Sequence, residues 1–369
     1  MSYSKTAQKT LPFFGKCLIF TVLCWNLVPW MPVSLPGFTA AETGILTSLI
    51  LAFLPVRVSS LSFLAVTELA VSWLLYDLLY GAARLFRLHG WFLRATLDGG
   101  IVPIVWFLYL FSGVMRAGRV VSTRYRIPTV HPLDGGHLRI LQLSDIHPGR
   151  MHTRRFLKRL RERMECAEPD ILVLTGDIFD EFTHPVKFRA YCGLFEEIRP
   201  KYGTWYVFGN HDADWHWHRP AHTKEDIRRA LAEAGVQILE DECAYLRTDS
   251  GTIRIVGRRT GMEDRLPPEK LLGERFDGLT ILLCHEPVEL TACAGAGADV
   301  ILAGHTHGGQ IFPLGRLMKL TRIHEMHAGI REILPGRYAV VSRGVGTWGY
   351  PVRTEGKSEL VILDIERIV

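Results

Sequence analysis

The stretch "LRILQLSD" at residues 138–145 is a short apolar run that stops at an acidic residue. Four later stretches repeat this design, each reaching Asp, Asn or His at or next to its end: "PDILVLTGD" (169–177), "GTWYVFGN" (203–210), "LTILLCHE" (279–286) and "ADVILAGH" (298–305). Apolar runs of this length are typical of buried strands. Amphipathic stretches separate several of them, at 153–166, 185–199 and 223–234. The alternation predicts an α/β layered fold.

All five runs end in side chains that can bind a metal ion. Asp, Asn and Gly are common in the turns after strands, but five ends of one kind favour a shared site, because sites assemble at the carboxyl ends of such strands. The candidate ligands are Asp145, His147, Asp177, Asn210, His285, His305 and His307. Their oxygen and imidazole donors fit Mn²⁺, Fe or Zn²⁺. Seven ligands exceed the need of one ion, so we predict a two-metal site, which suits displacement at phosphorus.

The spacing of the candidate ligands along the chain predicts the direction of their side chains. Asp145 and His147 stand two residues apart, as do His305 and His307, so each pair points to one side of an extended backbone. Gly176, Gly209 and Gly304 each precede a candidate ligand. Glycine permits a sharp turn or a close backbone approach there. The seven cysteines form no CxxC pair, which argues against a disulfide framework or a zinc knuckle.

The first 120 residues are largely apolar, whereas the remainder has the composition of a globular chain. We predict a transmembrane helical region of about four spans at 1–120, a linker at 121–136 and a catalytic domain at 137–369. The apolar segments are 17–33, 43–54, 58–80 and 99–115. The second segment is short for a span, which leaves three spans as the alternative.

The number of spans decides on which side of the membrane the catalytic domain lies. Four spans with the N-terminus inside place eight basic residues inside and three outside, whereas three spans give six and five. The positive-inside rule therefore favours four spans. We expect a multi-pass protein of the inner membrane with a cytoplasmic catalytic domain.

Five motifs, in this order, resemble those of the calcineurin-like metallophosphoesterases: "SDIH" (144–147), "TGDIFD" (175–180), "GNHD" (209–212), "CHEP" (284–287) and "GHTHGGQ" (304–310). The resemblance covers roughly residues 137–365. The extension "GHTHGGQI" and the later "SRGVGTWGYPVR" (342–353) resemble the membrane-attached bacterial branch, which includes UDP-2,3-diacylglucosamine hydrolases. The fold implied is a β-sandwich of two packed sheets flanked by helices.

The resemblance also implies a role for each site residue. Asp145, His147 and His307 would hold one divalent ion. Asn210, His285 and His305 would hold the other, with Asp177 bridging both. His211 would protonate the leaving oxygen, and Asp212 would be a second catalytic residue that orients His211 or another group of the loop. Mn²⁺ is the expected metal, with Fe and Zn²⁺ as alternatives.

The expected reaction is hydrolysis of a phosphodiester or pyrophosphate bond in a lipid-linked substrate. The resemblance suggests UDP-2,3-diacylglucosamine, an intermediate of lipid A synthesis, as that substrate. A general phosphodiesterase acting on phospholipid or nucleotide is the alternative. A non-catalytic membrane binding or regulatory protein is less well supported, because a degenerate site would normally have lost ligands. Membrane lipids are the expected partners, and neither nucleic acid nor a protein partner is predicted.

Residues for substrate binding are less well defined by the sequence. The basic segment 149–164, with Arg150 and Arg154 nearest the ligands, either rests on anionic lipid or packs its apolar residues on the sheet. Trp215 and Trp217 alternate with histidines and form either a rim around the site or a plain surface loop. Arg343 and Arg353 flank the glycine-rich "GVGTWG" and either bind substrate or are ordinary strand-end charges. His324 and His327 are expected to be solvated loop residues.

Overall fold

The computed structural model describes residues 101–149, 151–180, 183–212, 222–261, 265–321 and 323–368. The strands of this part, in chain order, are β1 (Val121–Thr129), β2 (His137–Leu143), β3 (Ile171–Thr175), β4 (Thr204–Val207), β5 (Val236–Ile238), β6 (Glu242–Thr248), β7 (Gly251–Gly257), β8 (Leu279–Leu283), β9 (Val300–Ala303), β10 (Gly329–Leu334), β11 (Arg337–Val341) and β12 (Glu359–Arg367). Its α-helices are α1 (Ile101–Ala117), α2 (Arg154–Glu165), α3 (Pro185–Glu197), α4 (Lys224–Glu233), α5 (Pro268–Leu272), α6 (Leu290–Ala296) and α7 (Leu314–Thr321).

The strands form two mixed, six-stranded sheets. The first has the order β1-β12-β2-β3-β4-β5, and the second has the order β10-β11-β9-β8-β7-β6. β2 to β5 run parallel to one another, and so do β7, β8, β9 and β11. Parallel neighbours bring the loops at their carboxyl ends to one edge of a sheet.

Three apolar clusters hold the layers together. One cluster lies between the sheets and includes Ile140, Trp205 and Ile281. A second packs α2, α3 and α4 on the outer face of the first sheet, and a third packs α5 and α6 on the second sheet. The result is two packed sheets flanked by helices, which confirms the predicted α/β sandwich.

The five runs that the sequence predicts as strands are β2, β3, β4, β8 and β9. Every residue of β3, β4, β8 and β9 is buried, as the unbroken apolar runs predict. The three amphipathic stretches form α2, α3 and α4. The basic segment forms α2, which buries Phe156, Leu160 and Met164 on the sheet, as the second of its two alternatives predicts. Its charges stay exposed, so contact with anionic lipid, the first alternative, stays a prediction.

The predicted linker at 121–136 needs correction. Its first nine residues form β1, which pairs in parallel with β12 along its whole length. The sheet therefore begins at Val121 and not at residue 137. The strand alternates exposed and half-buried residues, the pattern of an edge strand with one solvated face.

The predicted membrane region falls mostly outside the described residues, which include none of the segments 17–33, 43–54 and 58–80. The fourth segment corresponds to α1, a helix of 17 residues. Within the described ranges, no helix is both long enough and apolar enough to cross a bilayer. By internal contacts the chain divides into residues 1–112 and 113–369, so the unit that carries the sheets starts inside α1.

Candidate metal centre

The predicted ligands come together in two groups at the carboxyl ends of the strands. Asp145, His147 and His307 offer donor atoms that lie within 4.8 Å of one another. Asp177, His285 and His305 form a second group within the same limit. The first group joins the loops after β2 and β9, and the second joins the loops after β3, β8 and β9. Both sheets therefore contribute to both groups.

Asp177 lies between the two groups. Its Oδ2 is 3.1 Å from His285 Nε2 and 3.5 Å from His147 Nε2. Its Oδ1 accepts a hydrogen bond from the backbone N–H of His211 at 2.8 Å. A carboxylate that reaches one histidine of each group occupies the position of a bridging ligand.

The Asn210 side chain joins the second group. Its Oδ1 lies 3.0 Å from His305 Nδ1 and 3.2 Å from His285 Nε2. His285 Nδ1 is 2.8 Å from the carbonyl oxygen of Thr175, which can only accept, so this nitrogen carries the proton. Nε2 of His285 is therefore the nitrogen directed towards Asn210 and Asp177, and it is the one that would bind a metal ion.

The backbone is strained where it carries the ligands. Asp145, His147, Asp177, His305 and His307 all have positive φ, between 42° and 71°. Left-handed backbone is uncommon for residues other than glycine and tends to be stored at functional sites. Each of these residues closes a strand or turns just after it, so the strain directs the side chains to a common centre.

Two glycines allow this close approach. A Cβ on Gly304 would collide with the side chains of Ser144 and Asp145, and a Cβ on Gly209 would collide with Asp177. The sequence prediction that these glycines permit close packing is confirmed. At Gly304 the absence of a side chain also lets the next N–H, that of His305, reach both oxygens of Asp145 at 3.0 and 3.1 Å.

The pKa values of the two histidines in the second group shift in opposite directions. Burial would lower the pKa of His285, but the charge of Asp177 outweighs it and raises that pKa to about 10. Burial, followed by the neighbouring His285, lowers the pKa of His305 to about 3. In the metal-free chain the proton is thus held by the His285–Asp177 pair, while His305 is a neutral imidazole. A cation at this position would displace that proton.

The residues present fit metal ions. Nδ1 of His307 is buried and lacks a hydrogen-bond partner among the described residues. The ring nitrogens of His147 are also buried and make no well-formed hydrogen bond there, with the carboxylates of Asp177 and Asp180 at 3.5 and 3.4 Å. Asp145 is fully buried and Asp177 is 2% exposed. Buried polar atoms without partners are costly unless they serve a ligand, and this donor set suits divalent cations.

His211 stands at the edge of this centre, half-buried. Its ring lies 5.2 Å from the ring of His147 and 5.3 Å from that of Trp348, measured between centroids. It does not belong to either ligand group, which agrees with its expected place beside the ligands.

Asp212 lies where it can orient loop groups other than His211, which is one of the two roles expected for it. Its carboxylate is fully buried and accepts from the backbone N–H groups of Phe179 (2.8 Å), Gly209 (3.0 Å) and Ile178 (3.3 Å). Burial and the charge of Asp177 raise its pKa to about 7. Asp212 therefore ties the loop after β3 to the loop after β4 and is a positioning residue.

The other predicted substrate residues are spread apart or fall outside the described part. Arg343 forms an ion pair at 2.9 Å with Glu359, the buried first residue of β12, so its charge is paired within the protein. Arg154 is exposed in the first turn of α2. The predictions for Arg150, Trp215 and Trp217 concern residues outside the described ranges.

Arg353, expected with Arg343 either to bind substrate or to be an ordinary strand-end charge, has a different role in the structure. It is fully buried and donates to the carbonyl oxygens of His307 (2.7 Å), Arg343 (2.9 Å) and Gly346 (2.6 Å). It thereby fixes the backbone of a ligand. The sequence offered only an arginine beside a glycine-rich stretch as a signal.

Three further side chains also shape the centre. Gln310 accepts from the backbone N–H of Trp348 and donates to its carbonyl oxygen, which sets the Trp348 loop beside the site. Asp180 Oδ2 lies 3.4 Å from His147 Nδ1 and can orient that ring. His324, expected to be solvated, is half-buried with its ring 5.3 Å from that of His305.

Comparison with known proteins agrees with this geometry. Residues 138–309 match the family described as calcineurin-like phosphoesterase. An uncharacterised metallophosphoesterase of Campylobacter jejuni is 30% identical over 72% of this chain and 68% of its own length. An uncharacterised metallophosphoesterase of Aquifex aeolicus is 31% identical over 66% of this chain and 90% of its own length. A Bos taurus protein, described as a transmembrane protein with metallophosphoesterase domain, is 28% identical, and the chain spans 53% of it.

The chain therefore belongs to the calcineurin-like phosphoesterases, a family of metal-dependent phosphoester hydrolases. The resemblance read from the five ordered motifs is confirmed at the level of the family.

Replacing Arg353 with Met should weaken metal binding. Loss of three donated hydrogen bonds releases the His307 backbone, and residues that hold ligands in place typically contribute 10- to 100-fold in metal affinity. The measurement is metal content and affinity after dialysis against Mn²⁺. Arg275→Met, at an exposed position, is the control. Equal affinities for both variants would contradict the role of Arg353.

Proposed function

We propose that this chain hydrolyses a phosphoester bond with two divalent ions. The proposal rests on one observation, the Asp177 carboxylate placed between two groups of buried ligands. Asp145, His147 and His307 would hold the first ion, Asn210, His285 and His305 would hold the second, and Asp177 would be shared by both. Mn²⁺ is the metal we propose, with Fe and Zn²⁺ as alternatives for the same donors.

The positions of the metal ligands, His211, Asp212 and Arg353 give each of them a separate role in the proposed reaction. Divalent ions at this centre lower the pKa of water and neutralise the charge that grows on the phosphoryl oxygens. The side chain of His211, beside the first group, protonates the leaving oxygen, a task suited to imidazole near neutral pH. Asp212 and Arg353 hold the ligand loops so that little reorganisation is needed during the reaction.

The surface beside the centre favours a substrate with an apolar part. After His307 the chain exposes a row of large apolar side chains: Phe312 (46%), Leu314 (49%), Leu317 (48%), Leu320 (78%) and Ile323 (67%). Leu314, Leu317 and Leu320 stand three residues apart and share one face of α7. Trp348 is 51% exposed next to His211. Exposed apolar residues in such number mark a binding surface.

We therefore propose a lipid-linked phosphodiester or pyrophosphate as the substrate class. UDP-2,3-diacylglucosamine is the specific candidate and rests on the sequence resemblance alone. A phospholipid or a nucleotide is the alternative, and a panel of these substrates distinguishes them by the product released.

We also propose that the protein is a multi-pass protein of the inner membrane with its catalytic domain in the cytoplasm. Support comes from the apolar segments before residue 120 and from the distribution of basic residues around them. The Bos taurus relative, described as a transmembrane protein with metallophosphoesterase domain, joins the same two parts. A reporter fused after Val369 tests the side on which the catalytic domain lies.

Substitutions at the centre should separate metal binding from proton transfer. Asp177→Asn should abolish hydrolysis of bis-p-nitrophenyl phosphate with Mn²⁺ and reduce bound metal, because the charge shared by both groups is lost. His211→Gln should retain two ions per chain while kcat falls by about 10²- to 10⁴-fold. Metal content and kcat are measured on the same preparations. Full activity of Asp177→Asn, or metal loss in His211→Gln, would contradict these assignments.

The exposed apolar row gives a prediction about substrate class. Leu317→Asp should raise KM for a lipid-linked substrate by about tenfold, the effect of losing an apolar contact of ~1.5 kcal/mol. Hydrolysis of the soluble bis-p-nitrophenyl phosphate should stay unchanged. Val130→Asp is the control, because Val130 is 72% exposed and its neighbour His131 contacts Asp299, which lies just before β9, away from the ligands. An equal effect of both variants on the lipid substrate would contradict a lipid-binding surface at α7.

A further inference from the structure

A cavity separate from the metal centre lies between α2 and the end of α1. Its volume is about 500 Å³. Arg119, Arg155, Arg159 and Arg163 line it, and none of these belongs to the ligand groups. Arg155, Arg159 and Arg163 stand four residues apart and therefore share one face of α2. The helix thus presents a row of guanidinium groups to the cavity.

The carboxylates of the described residues do not neutralise the charge of this row. Within the described ranges, no carboxylate lies within 4.0 Å of a guanidinium nitrogen of Arg119, Arg155 or Arg159, and Arg163 reaches only the hydroxyl of Ser122 at 3.4 Å. Arg161, on another face of the same helix, has two carboxylate partners, Glu165 at 2.8 Å and Glu197 at 2.5 Å. Like charges four residues apart destabilise a helix. A cluster of them around one cavity favours a bound anion.

The cavity also has apolar walls. Met115, Met151 and Phe156 line it together with the arginines. Phe156 and Leu160, which also contributes to the lining, are anchored in the cluster beneath α2 and give the cavity a rigid floor. An inorganic anion gains nothing from such walls, whereas an amphiphile with a charged head can use both surfaces.

The position of the cavity at the end of α1 points to a membrane as the source of such an amphiphile. The cavity includes Met115 in the last turn of α1 and Arg119 just beyond its end. Earlier on the same helix Ile104, Phe107, Leu108 and Phe111 are 53–60% exposed. Exposed side chains of this kind are suited to contact with lipid, and arginines near a lipid surface interact favourably with anionic headgroups.

We propose that this arginine pocket binds the phosphate headgroup of an anionic phospholipid. Arg155 and Arg159 bind the phosphate oxygens, as a planar guanidinium does with paired hydrogen bonds. Met115 and Met151 contact the first carbons of the lipid. Bound in this way, the lipid fixes the catalytic domain against the membrane without entering the metal centre.

The test uses the full chain in a neutral detergent. Binding of dioctanoyl phosphatidylglycerol is measured by titration, with dioctanoyl phosphatidylcholine and inorganic phosphate in parallel arms. The wild-type chain should bind the anionic lipid about tenfold or more tightly than either of the others, the size expected for charge-assisted hydrogen bonds. The affinity should fall as salt is raised, because exposed charges are screened.

The variants assign the binding to this cavity. The double variant Arg155→Gln/Arg159→Gln should lose the preference for the anionic lipid, while the matched control Arg161→Gln should keep it. Hydrolysis of bis-p-nitrophenyl phosphate should be unchanged in both variants, so a failure here would leave the proposed hydrolase activity intact. Equal binding of both lipids, equally tight binding of inorganic phosphate, or an anionic preference that survives in the double variant would overturn the proposal.

Discussion

The structure depends on the cost of burying the Asp177 carboxylate. A buried carboxylate is stable only with charge or hydrogen-bond partners, and this one has His147 on one side, His285 on the other and the N–H of His211 on its second oxygen. These partners come from loops after β2, β8 and β4. The two sheets therefore have to bring their carboxyl ends together, because a single sheet does not supply all the partners.

The buried strands stabilise the strained loops that follow them. Five ligand residues adopt left-handed backbone directly after strands whose side chains are almost wholly buried. Asp212 and Arg353 then hold these loops in place. Asp212 accepts hydrogen bonds from backbone N–H groups, and Arg353 donates to carbonyl oxygens. Unfavourable backbone is kept at the place where the ligands converge, as expected for a preorganised site.

The sequence predicted the parts of this structure that depend on local pattern. Buried strands are continuous apolar runs, and the ligands stand at their ends, so β2, β3, β4, β8 and β9 and the ordered motifs could be identified without coordinates. β1 lies in the predicted linker because it lacks the continuous apolar run of a buried strand and its partner β12 lies more than 200 residues away. Arg353 stands out beside the glycine-rich stretch, but its role does not follow from the sequence, because it acts on His307 through a backbone contact 46 residues distant. The contacts of Asp212 do not follow from the sequence either, since its hydrogen bonds cross between two loops.

The most direct measurement is electron paramagnetic resonance of the full chain loaded with Mn²⁺, combined with its metal content. We expect two Mn²⁺ ions per chain and a spin-coupled signal, because Asp177 would link the two ions through one carboxylate. We also expect the coupling to disappear in Asp177→Asn. One ion per chain, or two ions that give only the signal of isolated Mn²⁺, would contradict a bridged two-metal centre.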